Sequence, residues 1–377
     1  MAVLEIKLKQ HSPMIHFQWQ QKGAGLRATE VKPRLDEYLR EKFPEYSGNN
    51  LRYIMRIHGG DKNIDNNFRN EPYFGNQHKT EDDSGYKKKK SQENIILSIN
   101  TYFDNILASR IEETMPIVLA LNNFGTRKTK GYGSFFPSDM GISEFETYLK
   151  KNSKSDIYYW ETDERFTLNN IKIFNDLLKS GINLKHKGDS IYTKPLIYYY
   201  FKDQGIVWEK KKIKNDLLSR AHSDTLDSDD KRFIRAILGL SSISSWFYKP
   251  YEDDLGFGDP ELVVNSMEFD RIPSSLTFKI FKNGNRNRVY LFFAEVYLSI
   301  LDKEFEFHFQ SKNDKDKHSK PVSVFSPQTF DCNTFLDYVY KNMATHKIDF
   351  VTVSREFTSP KAIMRSIENI MRGYKKL

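Results

Sequence analysis

Cysteine is almost absent from this chain of 377 residues, which contains only Cys332. A single thiol can form no disulfide within the chain and cannot supply the several thiolates of a zinc site. The sequence therefore predicts a protein of a reducing compartment, the cytoplasm. Neither a metal nor a cofactor is expected.

Long hydrophobic runs are also missing, and hydrophobic residues make up only 38% of the sequence. The richest apolar stretches, Met115–Leu121 and Leu291–Leu301, are much shorter than the roughly 20 residues that cross a bilayer as a helix. The N-terminus opens with a strand-like alternation over Val3–Lys9 and does not resemble a signal peptide. We therefore expect no membrane partner.

Aromatic residues, in contrast, are abundant at 14%, with 28 Phe and 21 Tyr. Disordered chains have few aromatics, so this composition indicates a folded protein with rings in its core. The net charge of +8 favours an anionic partner such as nucleic acid or an acidic membrane. Spread over the whole chain this excess is modest, so the local distribution of charge has to identify the partner.

Strand and helix patterns alternate in the first 150 residues, and a polar stretch at roughly 59–93, expected to be a mobile loop or arm, interrupts them. The predicted strands are Val3–Lys9, Met14–Gln20, Leu51–His58 and Ile95–Phe103, and the predicted helices are Thr29–Phe43 and Ile111–Asn122. Strands interleaved with two helices are typical of a ferredoxin-like (RRM-like) α+β sandwich.

From Ser143 to about Ser245 the pattern becomes largely helical, as in Thr167–Lys179 and Asp229–Leu238, and strands return after Glu261. The later strands are Leu262–Phe269, Leu276–Phe281, Val289–Val296, Phe305–Gln310 and Ile348–Ser354, with helices Thr329–Met343 and Lys361–Tyr374. The predicted fold class is α+β, with ferredoxin-like domains at 1–150 and 261–377 and a mainly helical insertion at 151–260.

The most informative segment is the glycine loop, residues 123–135, with the sequence Asn-Phe-Gly-Thr-Arg-Lys-Thr-Lys-Gly-Tyr-Gly-Ser-Phe. Its glycines allow the backbone to approach a ligand closely, its three cations attract phosphate, and its tyrosine offers a ring for stacking. These residues are Gly125, Gly131 and Gly133, then Arg127, Lys128 and Lys130, then Tyr132. The segment predicts a turn that grips an RNA backbone. A plain glycine turn with solvated lysines is the alternative.

A helix followed by such a loop, late in a ferredoxin-like domain, is similar to the signature of the RAMP superfamily of CRISPR-associated RNA-binding proteins. Asn123 departs from it, because the fuller family pattern often has another glycine there. Three further stretches resemble the first (Cmr-type) subunit of type III-B effector complexes. They are residues 12–14 with 26–33, residues 232–240 and residues 271–275.

This resemblance implies a subunit that binds guide (CRISPR) RNA, target RNA or both in antiviral defence, beside other RAMP-type subunits and without a catalytic role. Arg27 and Lys32 match the basic stretch of the family near the first helix, so RNA contact is carried over to them. A solvated helix N-terminus is the alternative for both. Arg271, before Pro273 in a turn-like motif, is a further candidate, although a surface ion pair also explains it.

An enzyme that cuts RNA without metal needs a general base, usually histidine, and a cation for the developing charge. The histidines considered for this role have no neighbouring partner in the sequence: His16, His58, His186, His222 and His308. We therefore expect no catalysis. The runner-up is a stand-alone RAMP-type endoribonuclease with a histidine base, and a third hypothesis is a scaffold whose basic surface meets acidic proteins.

Overall fold

A computed structural model of the chain describes residues 3–16, 18, 21, 24–48, 50–62, 89–186, 189–218, 230–239, 243–244, 260–266, 268, 273–294, 298–311, 314, 316, 318–343 and 361–377. The chain divides into two compact units. The first unit comprises Met1–Phe174, Leu276–Ala294 and Lys361–Leu377, and the second comprises Asn175–Ser275 and Glu295–Pro360.

The fold is mixed α/β. The strands are β1 (Val3–Gln10), β2 (Met14–Ile15), β3 (Ile54–Lys62), β4 (Lys89–Asn100), β5 (Phe135–Pro137), β6 (Tyr158–Asp163), β7 (Ile182–His186), β8 (Asp189–Thr193), β9 (Ile206–Trp208), β10 (Asp230–Arg232), β11 (Ile243–Ser244), β12 (Pro260–Asn265), β13 (Leu276–Asn283), β14 (Arg286–Phe293), β15 (Glu304–Ser311), β16 (Val322–Phe325) and β17 (Lys375–Lys376). The helices are α1 (Ala28–Lys42), α2 (Asn105–Leu121), α3 (Ile142–Asn152), α4 (Thr167–Lys179), α5 (Leu196–Lys202), α6 (Glu209–Leu218), α7 (332–343) and α8 (Lys361–Gly373).

The first unit contains an antiparallel sheet with the strand order β3–β4–β1–β5, and β2 pairs with the start of β4. Helix α1 follows β1 and β2 in the chain, and its buried residues Val31, Leu35 and Leu39 recur every four positions. This spacing puts an apolar stripe on one side of α1, where it shares a core with Leu97 of β4 and Met115 of α2.

A second antiparallel sheet of the first unit has the order β13–β14–β6–β17. Strand β6 alternates buried and half-buried residues, with Tyr158, Trp160 and Thr162 facing inward. The sheet takes strands from both sides of residue 260. The domain boundaries at 150 and 260 stay a prediction.

The second unit holds the antiparallel sheet β11–β12–β15–β16, the β7–β8 hairpin and the parallel pair β9–β10. Residues 151–260, predicted to be mainly helical, thus contain strands as well as helices. The helix predicted over Asp229–Leu238 is wrong at Asp230–Arg232, because these residues pair with Ile206–Trp208, and only Ile234–Leu238 form a 3-10 helix. No helix in the described part of the chain is long and apolar enough to cross a membrane.

Several predictions fall outside the described residues. They concern the strand Ile348–Ser354, the site residue Arg271 and most of the polar stretch at 59–93, whose ends belong to β3 and β4.

Candidate nucleic-acid interface

The glycine loop begins where helix α2 ends, and a buried lysine holds that end. The Nζ atom of Lys279, on β13, donates to the carbonyl oxygens of Leu119 at 2.6 Å and Asn122 at 2.5 Å. A cation is favourable at a helix C-terminus because the last carbonyls carry partial negative charge. Burial lowers the pKa of Lys279. The start of the loop is thereby fixed to the second sheet.

Main-chain hydrogen bonds attach the loop on two sides. The N–H groups of Thr126 and Gly133 each donate at 2.9 Å, to the carbonyl oxygens of Ile15 and Pro13. On the other side, the N–H of Phe278 donates to the carbonyl oxygen of Thr129 at 3.1 Å. The loop therefore lies between the segment around β2 and strand β13, and joins the two sheets of the first unit.

The hydrogen bonds of the Asn123 side chain explain why asparagine, and not glycine, stands at this position. Its buried side-chain nitrogen Nδ2 donates to the carbonyl oxygen of Lys128 at 2.6 Å and to that of Phe278 at 2.8 Å. Glycine has no side chain and would leave both acceptors without these bonds. Asn123 closes the loop on itself and ties it to β13.

The three glycines are required by contacts inside the protein. Gly125, Gly131 and Gly133 all have positive φ, between 72° and 83°. A Cβ atom on Gly133 would lie 1.9 Å from the carbonyl oxygen of Phe124, and one on Gly125 would lie 2.7 Å from that of Ile15. Gly131 and Gly133 are also buried. The sequence predicted that RNA approaches the backbone closely at these glycines. At Gly125 and Gly133 the protein's own main chain makes this close approach instead.

Tyr132 lies inside the first unit, with 0% of its surface exposed. The flanking hydrogen bond from Gly133 to Pro13 draws this part of the loop inward. A base needs an open ring face, so the predicted stacking role does not fit the position of Tyr132 in this structure.

The cations of the loop stand at its outer turn. Arg127, Lys128 and Lys130 are half-exposed, and the N–H of Lys130 donates to the carbonyl oxygen of Arg127 at 2.8 Å. Arg127 has a φ of 59°, in the left-handed region that non-glycine residues rarely adopt. This turn places three positive charges at the surface.

Glu30, in the first turn of α1, connects this turn with Arg27. Its carboxylate accepts hydrogen bonds from the main-chain N–H groups of Arg27 and Gly125, and the charges of Arg27 and Lys128 act on it. Burial raises the pKa of Glu30, and these partners oppose the rise. The positive charges of Arg27 and Lys128 therefore act on one carboxylate, although the two residues are far apart in the sequence.

Lys90 extends the same surface and was missed as a site residue in the sequence. Burial lowers the pKa of His16, and the charges of Arg27 and Lys90 lower it further, so both cations lie near this histidine. Lys90 is half-exposed, and the only sequence signal for it was the basic run at residues 87–90. We call Arg27, Lys90, Arg127, Lys128 and Lys130 the basic surface.

Lys32 does not share this environment. Its Nζ atom lies 3.5 Å from Oδ1 of Asp36 and 3.2 Å from the centre of the Tyr53 ring. Two positions separate it from Glu30 along α1, so the two side chains lie on different sides of the helix. RNA contact at Lys32 stays a prediction, and its charge is already engaged within the protein.

His11, which no sequence pattern singled out, is the most strongly perturbed histidine in the described part of the chain. His11 is buried between the rings of Phe136 and Phe281, and its Nδ1 accepts the N–H of Lys282 at 2.8 Å. Burial lowers the pKa of His11 to about 3, and nearby lysines contribute. This histidine is neutral and structural.

The remaining histidines of the described residues also differ in their environments. His16 is fully buried and accepts the N–H of Gln18 on Nδ1 at 3.0 Å, whereas His58 is exposed. Burial lowers the pKa of His308, which lies 5.7 Å from the ring of His318. His222 and the side chain of His186 lie outside the described residues. In the described ranges no three His, Cys, Asp or Glu side chains group as a metal site.

Comparison with known protein families gives two matches that together span most of the chain. The family model of the Cmr1 N-terminal domain matches residues 1–53 and 43–182, and that of the Cmr1 C-terminal domain matches residues 192–361. The chain belongs to the Cmr1 family. This confirms the resemblance to the Cmr-type RAMP subunit of the type III-B effector complex.

A solved structure is also similar to this Cmr1-family chain. It is apo Cmr1 from Pyrococcus furiosus, with 9% sequence identity and a TM-score of 0.37, over 86% of this chain and 99% of that one. Among the curated proteins no sequence matches.

Proposed function

We propose that this Cmr1-family subunit binds guide RNA, target RNA or both through the basic surface, as a non-catalytic member of the cytoplasmic type III-B complex in antiviral defence. One observation supports this most directly. The charges of Arg27, the residue that caps helix α1, and of Lys128 in the glycine loop both act on the same carboxylate, that of Glu30. Two stretches that carried the resemblance separately are thus combined in one surface.

The chemistry of this surface favours the RNA backbone over the bases. Lysine and arginine side chains pair with phosphate oxygens, which carry no sequence information. The loop that holds three of the cations is fixed to both sheets of the first unit, so little ordering is required on binding. Binding is therefore largely independent of base sequence and sensitive to salt.

We further infer that both sheets of the first unit are ferredoxin-like. The strand orders β5–β1–β4–β3 and β17–β6–β14–β13 support this. If the four strands of each set are numbered in chain order, both sets have the order 4-1-3-2, with the first and third strands at the centre. In the first set a helix follows each central strand, α1 after β1 and α2 after β4; in the second, α4 follows β6 and α8 comes between β14 and β17. This agrees with the β-α-β-β-α-β arrangement. The strands of the second set come from three separated stretches of the chain, whereas the sequence predicted a ferredoxin-like domain at 261–377.

The test compares RNA affinity between two triple variants of equal charge. In R127A/K128A/K130A we expect single-stranded RNA to bind much more weakly than in the wild type. In K150A/K151A/K154A, which removes three exposed lysines at the end of α3, we expect nearly unchanged affinity. Equal losses in both variants would show that only overall charge matters and would reject the basic surface.

The same protein distinguishes binding from cleavage. A single-stranded RNA incubated with the purified chain, with and without a divalent cation, is expected to stay intact. RNA cleavage that disappears in H16A or H308A, with melting temperature unchanged, would instead support the RAMP-type endoribonuclease.

A further inference from the structure

Tyr192 in the second unit is an exposed ring in an aromatic cluster. It lies at the end of the β7–β8 hairpin with 41% of its surface exposed. Its ring stacks on that of Trp208, with centroids 6.4 Å apart and planes at 21°. Trp208 is only 5% exposed and also contacts Tyr198, with centroids 4.9 Å apart. One face of the Tyr192 ring is therefore supported by a packed cluster, and the ring remains open to solvent.

The structure holds this ring in place through its hydroxyl group. The Tyr192 hydroxyl donates to the carbonyl oxygen of Ser180 at 2.6 Å. Gly181 makes room for it, since a Cβ atom there would lie 2.6 Å from the hydroxyl oxygen. Burial raises the pKa of Tyr192 to about 12, so the phenol is neutral at physiological pH. An anchored ring loses little entropy when a partner stacks on it.

Positive charge surrounds the cluster. The Nζ atom of Lys210 lies 4.5 Å from the centre of the Trp208 ring and 5.2 Å from that of Tyr192. Lys194 lies over Tyr198, with its Nζ 4.4 Å from the ring centre. The buried carboxylate of Glu209 is paired with Arg235 at 2.5 Å. Lys194 and Lys210 thus place two positive charges beside the aromatic rings.

We propose that Tyr192 is a stacking platform for an unpaired RNA base, with Lys210 contacting the phosphate beside it. An open aromatic face next to cations is the arrangement by which proteins hold single-stranded RNA without reading its sequence. Tyr132, which the sequence predicted to stack on a base, is buried. Tyr192 has the exposed ring that stacking requires. The proposal rests on the RNA-binding function above and adds a second contact to it.

Photo-crosslinking tests the platform on the unaltered chain. RNA carrying 5-iodouridine, irradiated in complex with the unaltered chain, is expected to crosslink to Tyr192, identified by mass spectrometry. Crosslinks in the second unit that map to other residues, such as the exposed Tyr340, and not to Tyr192 would overturn the proposal.

Variants give a second readout. We expect Y192A and Y192L each to lower RNA affinity by about five- to 150-fold with an unchanged salt slope, whereas Y340A binds like the wild type. Y192L keeps an apolar side chain against Trp208, so the test still holds if Y192A does not fold. Wild-type affinity in folded Y192L would reject the platform while the basic surface stands. Absence of RNA binding by the wild-type chain would reject both.

Discussion

The side-chain amide of Asn123 lies 2.8 Å from the carbonyl oxygen of Phe278 and joins the glycine loop to strand β13. The same nitrogen donates to Lys128, whose side chain belongs to the basic surface. One buried amide thus connects the core of the first unit with the turn that carries the cations.

Replacing Asn123 with alanine is expected to destabilise the protein by about 1–3 kcal/mol, because two carbonyl groups lose their donor. RNA affinity should fall as well, since the turn is no longer held. Urea unfolding and RNA titration measure the two effects. N122A is the matched control: its side chain makes one bond, to Val118 at 2.9 Å on its own helix. Equal stability of N123A and wild type would contradict the role given to this amide.

Removing the charge of Glu30 is expected to strengthen RNA binding. E30Q keeps an oxygen that accepts the N–H groups of Arg27 and Gly125 but removes a negative charge beside Lys128. We expect affinity at low salt to rise about three- to tenfold, which corresponds to about 0.7–1.4 kcal/mol of repulsion removed. E37Q changes the same charge on the exposed part of α1, where Glu37 pairs with Arg34, and should have a smaller effect. If RNA affinity rises no more in E30Q than in E37Q, the result would count against the basic surface.

Alanine substitutions at Gly133 and Gly48 distinguish the stability cost of a steric clash from that of backbone strain. Both have positive φ, of 72° and 77°, but a Cβ atom on Gly48 would meet nothing within 4 Å. G48A should therefore cost only about 1–2 kcal/mol. G133A places a methyl group against the Phe124 carbonyl and should cost more than about 4 kcal/mol or prevent folding. Similar melting temperatures for the two variants would show that the loop is not packed as described.

The burial of His11 is expected to make the stability of the protein depend on pH. The pKa of His11 is lowered from 6.5 to about 3 in the folded protein. Between these values the unfolded chain binds a proton that the folded protein does not, so stability decreases as pH falls below about 6.5, by up to about 1.4 kcal/mol per pH unit.

H11N isolates this contribution, because an asparagine oxygen can accept the N–H of Lys282 without titrating. The variant should be less stable at pH 7, where it loses ring packing, and the gap to wild type should narrow as pH decreases. Urea unfolding between pH 7 and pH 4 measures the gap. A gap that stays constant over this range would mean that His11 is not held neutral.

Elements with strong local periodicity were predictable from the sequence. Helix α1, predicted over Thr29–Phe43, spans Ala28–Lys42, and the alternation of Phe305, Phe307 and Phe309 matches three buried positions of β15. Both patterns follow from burying one side of a single element, which requires no knowledge of its neighbours.

Features that depend on distant partners were not predictable in this way. The burial of Tyr132 and the role of Lys279 at the end of α2 arise because the loop packs between segments that are far apart in the chain. Strand β6 was missed although its buried residues alternate, because it lies in a stretch dominated by helical patterns and pairs with the remote β14. In the candidate site, the cations of the loop were found from the sequence, whereas Lys90 and Glu30 required the fold.

The salt dependence of RNA affinity tests the basic surface most directly. Each phosphate contact on a single strand adds about 0.7 to the slope of log affinity against log salt concentration. If Arg127, Lys128 and Lys130 each hold a phosphate, the slope of R127A/K128A/K130A is shallower than that of the wild type by about 2 units, and K150A/K151A/K154A keeps the wild-type slope. A wild-type slope in R127A/K128A/K130A, with the protein folded, would contradict the proposal that this loop binds RNA.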